Sequence, residues 1–542
     1  MSTNRLVLEN VLSSEEYAAI DRFCAEHAGI HAIPQLAKFL LEKFDVKLVI
    51  DMSIVKGFVA DSSNLPGTAS AVCRPETERE CAIILRACYQ AKIPITVSAG
   101  RSNLTGSATP HGGVILSTAK MMIPEVKVDE ETMTVVTPVG IIVEDLRNLI
   151  LQQSQNRLMF SVNPTSRADA AIGGALACNA SGFTPGDVGA FRNWVESMNF
   201  LFPNGKKLTA EKGQYISEKG KFNVVDDNKE SEFPVPTYER PKIKNASGPY
   251  SSPTGRVDFI DLMIGSEGIF GMVTACRLKL ERRPSDYLDI FFSLPSEKQA
   301  IACYQYCHDN IPGGVESLSA LEYFGVNCRK YMKHDDRLFS GDHQVAIYIQ
   351  VPLYEKSLDE AAEEWFTFLM NAPEECGIDE NGIMLLTTDR ERELFFESRH
   401  SMPANAVEVV QHRGTYTIMT DALVPPEHFA EFLGHTHQLI QSEKLDYLAF
   451  GHLGDCHLHF TILPEKDQLE RATQIYEDII AKSAELGGIY SGEHGTGKRK
   501  RQDFLRCYGP EGVEQVKHCK AAVDPLFLMN RDNVVEYVAE EA

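Results

Sequence analysis

Apolar positions near the start of the chain repeat with helical spacing, then give way to alternating strands and helices. Residues 14–27 and 34–46 read as helices. Ser14 and Glu16 open the first, and Tyr17, Ile20 and Phe23 share one of its faces. Together they form a helical extension over 1–64, with Pro66-Gly67 as a hinge after it. Ala71-Val72-Cys73 reads as a short strand. Residues 76–91 read as a helix, with Cys81, Ile84, Leu85 and Cys88 at i, i+3, i+4, i+7 spacing, and Ile93–Val97 as a second strand. Further strands are predicted at 114–117, 133–138 and 196–202, and a helix at 143–153. This is a strand–helix–strand unit running into a mixed sheet. Residues 206–256 are rich in Lys, Glu, Pro, Ser and Gly and read as loop, with order returning over 259–280.

From Ser285 a second pattern begins. Strands near 287–293, 345–351 and 416–422 alternate with helices near 296–310, 358–371 and 427–443. The overall expectation is an α+β protein with boundaries at 1–64, 65–284, 285–500 and 501–542. A length of 542 residues suits two or three domains.

Charge narrows the partners. A net charge of -23 opposes broad contact with a nucleic-acid backbone or an anionic membrane surface, while leaving room for a local cationic pocket that takes a small anion. No apolar run reaches the length of a membrane span, and Met1 to Glu9 shows no signal-peptide pattern. The 13 cysteines are dispersed without a C-x-x-C pair, which predicts reduced thiols, a cytoplasmic setting and no iron–sulfur cluster in this chain.

Three small-residue segments stand out, the first directly after a predicted strand. The first is Ala99-Gly100-Arg101-Ser102-Asn103-Leu104-Thr105-Gly106-Ser107, where closely approaching amides and hydroxyls could hold phosphate oxygens. The second is Ile172-Gly173-Gly174 running to Asn179-Ala180-Ser181-Gly182, and the third Ile264-Gly265-Ser266-Glu267-Gly268-Ile269-Phe270-Gly271. Each alone also suits a tight turn. The richest chemistry is Gly451-His452-Leu453-Gly454-Asp455-Cys456-His457-Leu458-His459, flanked by apolar residues and read as strand, turn, strand. A turn at Gly454-Asp455 would bring His452 beside the returning strand, where His457 and His459 share a face. Two or three imidazoles with the carboxylate of Glu493, in Ser491-Gly492-Glu493-His494-Gly495-Thr496-Gly497, suit a divalent metal such as Zn, Fe or Mn and leave an open position.

These segments together resemble the FAD-linked oxidase family, the group with vanillyl-alcohol oxidase, and within it the D-2-hydroxy acid dehydrogenase branch. The second and third glycine segments match closely. In the first, Arg101 and Asn103 stand where glycines are usual, and in the histidine segment Cys456 and His457 replace Gly and Asn. The resemblance implies a two-part FAD-binding domain with an α+β substrate domain. The flavin contacts would come from the three segments, Pro164, Val273 and Asn530, and no His or Cys in the first loop offers covalent attachment. It further implies His452, His459 and Glu493 as metal ligands and His494 as base. Arg399, on a helix ending at that residue, would pair with the substrate carboxylate, and His457 would contact substrate or become a fourth ligand. Met419 stands where the family has Lys, which favours a monocarboxylate such as D-lactate.

The expected activity is hydride transfer from a small D-2-hydroxy acid to FAD. The electrons would pass on to an electron-transfer flavoprotein, an iron–sulfur subunit, a quinone or oxygen, and a homodimer is left open. The alternatives are another FAD-linked oxidase acting on an alcohol, and a metal-dependent hydrolase.

Overall fold

The computed structural model describes residues 2–537. Its first sheet has four strands in the order Leu48–Val49, Ala71–Cys73, Val114–Ser117, Ile95–Ser98, the last three parallel. The helix Glu78–Gln90 covers it. Thr77 caps this helix by accepting from Glu80 N, and Cys81, Ile84, Leu85 and Cys88 are buried. Ile84 and Leu85 each contribute about 1.5–3 kcal/mol through burial.

A second, antiparallel sheet of six strands runs Glu9–Asn10, Lys206–Glu211, Val195–Leu201, Met272–Lys279, Thr134–Pro138, Lys127–Asp129. Beside it lies a three-stranded sheet of Arg5–Val7, Lys221–Asp226 and Lys229–Pro234, and the two sheets correct two expectations. The stretch 206–256 contains three strands, Lys206–Glu211, Lys221–Asp226 and Lys229–Pro234. Only one face of each is buried, through Leu208, Ala210, Phe222, Val224 and Phe233. In the first two a two-residue alternation is interrupted by charged and polar positions, and in the third Phe233 alone is buried. The N-terminal extension is also not purely helical. Arg5–Val7 pairs in parallel with Lys221–Asp226, and Glu9–Asn10 pairs with Lys206–Glu211, so the start of the chain completes this half of the fold.

The second half is a seven-stranded antiparallel sheet in the order Ile383–Leu385, Asp286–Leu294, Val345–Leu353, Ala320–Phe324, Asp446–His452, His457–Leu463, Ile418–Met419. The strand expected at 416–422 shrinks to Ile418–Met419, which pairs with the histidine strand, and beyond Thr420 the backbone of Asp421 and Leu423 bonds to the 489–492 segment. The helix expected to end at Arg399 continues from Asp389 through Pro403 to Arg413.

After the helical stretch Arg501–Val523, the chain returns to the first sheet. Ile95 N donates to Leu528 O, Asn530 N donates to Ile95 O, and the Asn530 side chain accepts from Val97 N at 2.8 Å. Among the described residues no helix is long and apolar enough to cross a membrane, and all 13 cysteines are free thiols.

Replacing Asn530 by Ala leaves the Val97 N–H without its acceptor. We expect a loss of about 1–3 kcal/mol, read as a lower urea midpoint; an unchanged midpoint would contradict the role given to this return segment.

Candidate active site: a histidine and glutamate cluster on the wall of a cavity

The cluster begins with the antiparallel pairing of Asp446–His452 and His457–Leu463, which sets His452 opposite His457. The turn between them needs a left-handed residue, and Cys456 supplies it at φ 55°. That geometry explains why glycine is usual there. Ring centroids of His457 and His459 lie 4.7 Å apart, and those of His459 and His494 lie 5.5 Å apart. Glu493 comes from the facing turn. Its Oε1 lies 3.2 Å from His459 Nε2, 3.5 Å from His452 Nε2 and 3.8 Å from His494 Nε2.

Each imidazole is fixed from behind. His452 Nδ1 donates to Glu322 Oε1 at 2.6 Å, His459 Nδ1 to the Thr420 carbonyl at 3.3 Å, and His457 Nε2 to Asp421 Oδ1 at 2.9 Å. Metal-binding histidines are oriented in this way. One ligand atom from each of His452, His457, His459 and Glu493 lies within 4.8 Å of the others, so the donor set suits a divalent ion.

Two carboxylates in this arrangement carry weight that sequence reasoning did not give them. Asp421 has no exposed surface. Besides His457 it accepts from Ser491 Oγ at 2.6 Å, Lys500 Nζ at 2.8 Å and the His494 backbone N–H at 3.1 Å, with His494 Nδ1 3.3 Å away. Glu322 bridges Arg399 at 2.8 Å and His452. A signal for Glu322 existed: it is the one carboxylate in the otherwise apolar or aromatic strand Ala320–Phe324, and a buried charge requires a partner. Lys244 was also passed over. Its buried ammonium lies 3.3 Å from Glu493 Oε2 and 3.4 Å from Asp455.

Burial opposes ionisation of these acids, and the neighbouring charges overcome it. Burial would raise Glu322, but the His452 and Arg399 charges bring it down to about 2. Burial would raise Asp421 and Glu493 as well. His494 and Lys500 hold Asp421 well below the usual carboxylate range, and Lys244 and His452 do the same for Glu493. Burial would lower His452, but Glu322 lifts it to about 9. His457 has no compensating charge of that size, and burial takes it down to about 3, so its ring is neutral.

The three small-residue segments meet around a cavity of about 400 Å³, and His452, Glu493 and His494 line the same cavity. Ala99 to Leu104, Ser107, Pro164, Gly173, Gly174, Ser181, Gly182, Glu267, Gly268, Gly271, Val273 and Asn530 are on its wall. Gly174 lets the second segment approach the first, since a Cβ there would stand 3.1 Å from that of Ala99. The volume and the small-residue lining fit a flavin cofactor.

Thr105, Gly106 and Asn179 do not line the cavity; they brace the segments that do. Thr105 Oγ1 donates to the His494 carbonyl, and Asn179 Nδ2 to that of Asn245. The departures in the first loop also have structural work. Arg101 takes a left-handed backbone at φ 62° and covers Phe58, while Asn103 accepts from Gly106 N and Ser107 N. Glu267 is buried, is pushed up to about 7 by that burial, and accepts from Thr496 N and Gly497 N. Among the described residues His457, His459 and Arg399 are not on the cavity wall. Arg399 reaches the cluster through Glu322, and its guanidinium covers Phe183 at 4.4 Å.

Residues 69–211 match the FAD binding domain family, and residues 290–534 match the C-terminal domain of FAD linked oxidases. Relatives in sequence include a D-lactate dehydrogenase of Anaerostipes hadrus, 24% identical over 92% of this chain and 96% of that protein. They also include the glycolate oxidase subunit GlcD of Bacillus subtilis, 25% identical over 85% of this chain and 87% of the other. A mitochondrial D-2-hydroxyglutarate dehydrogenase of Rattus norvegicus is 22% identical, covering 86% of this chain and 78% of that one. Among solved structures, 4-ethylphenol oxidase from Gulosibacter chungangensis superposes with a TM-score of 0.64 at 16% identity, covering 98% of this chain and 99% of that one. p-Cresol methylhydroxylase gives a TM-score of 0.65 at 13% identity, with the same coverage. The chain belongs to the FAD-linked oxidase family, with the vanillyl-alcohol oxidase type of fold, and is an FAD-dependent oxidoreductase.

The Glu322–His452 pair makes stability of the metal-free protein depend on pH. His452 rises from 6.5 to about 9 on folding, so its contribution is complete below pH 6.5 and is lost as pH rises through about 9. Glu322 falls from 4.5 to about 2, so its contribution is complete above pH 4.5 and is lost as pH falls through about 2. Glu322→Gln should therefore cost most between about pH 4.5 and 6.5 and progressively less toward pH 10. A pH-independent difference in denaturant midpoints would contradict this coupling.

Proposed function

We propose that the protein oxidises a small D-2-hydroxy acid, D-lactate-like in size, to the 2-keto acid. The observation that carries this reading is the shared wall: the flavin-binding segments and His452, Glu493 and His494 bound one cavity. When bound, FAD supplies the two-electron acceptor and a divalent ion held by His452, His459 and Glu493 supplies the Lewis acid. The names of the sequence relatives support the substrate class, since each is a dehydrogenase or oxidase of a 2-hydroxy acid.

Within this reading His494 is the general base. The ionised Asp421 beside its Nδ1, at 3.3 Å, favours a proton on that nitrogen. This leaves Nε2 as the acceptor for the substrate hydroxyl proton. Asp421 then balances the charge the ring gains. Arg399 supplies cationic character for the substrate carboxylate, one of its nitrogens being committed to Glu322. Met419 offers no second cation, which favours one carboxylate over two. The electrons leave afterwards to a partner protein or a quinone. A hydrolase using the same histidines gives the glycine-lined cavity no task.

In an anaerobic assay of the flavin-loaded protein, D-lactate should bleach the flavin absorbance. His494→Asn should slow that bleaching about 10²–10⁴-fold with flavin and metal content unchanged. Undiminished reduction in the variant would remove His494 as base. Absence of bleaching across D-lactate, glycolate, D-2-hydroxyglutarate and D-malate would remove the activity.

A further inference from the structure

His457 is the histidine that the expected three-ligand site does not use, and its surroundings are unusual. It has no exposed surface. Its Nε2 donates to Asp421 Oδ1 at 2.9 Å, and an ionised carboxylate can only accept, so the proton sits on Nε2. Nδ1 is then a bare lone pair, and it is buried without a hydrogen-bond partner. Buried polar atoms are rarely left so unless something else is to fill the gap. His457 also belongs to the set whose ligand atoms lie within 4.8 Å of one another, together with His452, His459 and Glu493.

The fold makes deliberate room for this ring. A Cβ on Gly492 would come within 2.8–3.0 Å of three atoms of the His457 imidazole, so no larger residue fits there without moving it. Asp421 holds His457 as Glu322 holds His452 and the Thr420 carbonyl holds His459. Three imidazoles are thus gripped on one nitrogen each.

We propose that His457 is a fourth protein ligand, making the centre a three-histidine, one-carboxylate site. This rests on the reading above that the cluster holds a divalent ion. It has a consequence for which ion serves. A tetrahedral ion such as Zn would be filled by four protein ligands and have no place for substrate. An ion that accepts six ligands, such as Mn, Fe or Co, keeps two positions. Two positions match the hydroxyl and carboxylate oxygens of a 2-hydroxy acid.

The test uses the full-length, flavin-loaded protein stripped of metal and reloaded with Co(II) alone. X-ray absorption counts the imidazoles around the ion and needs no variant. Three are expected in the native protein and two in His457→Asn, with Co(II) affinity in the variant weakened at least about tenfold. Gly492→Ala, which displaces the ring without deleting it, should lower the imidazole count in the same way. Two imidazoles in the native protein, or a count and affinity unchanged by His457→Asn, would overturn the proposal. If Co(II) binds through two imidazoles and D-lactate still bleaches the flavin, only the fourth ligand is lost. If no divalent ion binds at all, the metal reading above falls with it.

Discussion

Asp421 sits with no exposed surface at the meeting point of two turns and two strands, and the candidate site takes its shape from what that one carboxylate accepts. It fixes the ring of His457, faces the ring of His494, and holds Ser491 Oγ, Lys500 Nζ and the His494 backbone N–H. Its own carbonyl accepts from Gly492 N at 2.8 Å, tying the strand end to the Glu493 turn. Removing one partner from such a buried pair typically costs about 3–5 kcal/mol, because the other charge is left stranded. The protein tolerates this buried charge because Lys500 and His494 lie beside it, and the expense is repaid in orientation.

A second buried carboxylate, Glu267, does the corresponding task between the two halves of the chain. It lies in the third glycine segment and accepts the backbone N–H groups of Thr496 and Gly497, immediately after the turn that carries Glu493 and His494. Its own carbonyl accepts from Asn530 and Asn533 in the returning C-terminal segment. Thr105 adds a further tie, donating to the His494 carbonyl and accepting from the backbone of Lys498 and Arg499. The segments that line the cavity and the turn that carries Glu493 and His494 are therefore held by the same few bonds. Holding the Glu493–His494 turn against the glycine-lined cavity requires that kind of shared support.

Elements with clean periodicity were legible in the sequence. The helix Glu78–Gln90, the strands Asp286–Leu294 and Val345–Leu353, and the His452 turn all lie within a residue or two of their expected bounds. The histidines and Glu493 were legible because four imidazoles near one acid are hard to explain otherwise. The strands between Lys206 and Pro234 were not, since polar and charged residues interrupt each of them and few of their positions are buried. Nor were the roles of Glu322, Lys244 and Asp421. Their partners lie 130, 249 and 36 or more positions away along the chain, as with Glu322 and His452, Lys244 and Glu493, and Asp421 and His457. A buried acid declares itself by its burial, which only the fold reveals.

In the proposed function a hydride leaves C2 of a 2-hydroxy acid inside the cavity shared by the glycine segments and the histidine cluster. Single-turnover flavin reduction by D-lactate carrying deuterium at C2, compared with the protiated substrate, addresses it most directly. Bleaching is expected to occur and to be slowed by a primary isotope effect. Flavin that stays oxidised in protein replete with FAD and metal, or reduction at a rate indifferent to the deuterium even when chemistry is limiting, would contradict it.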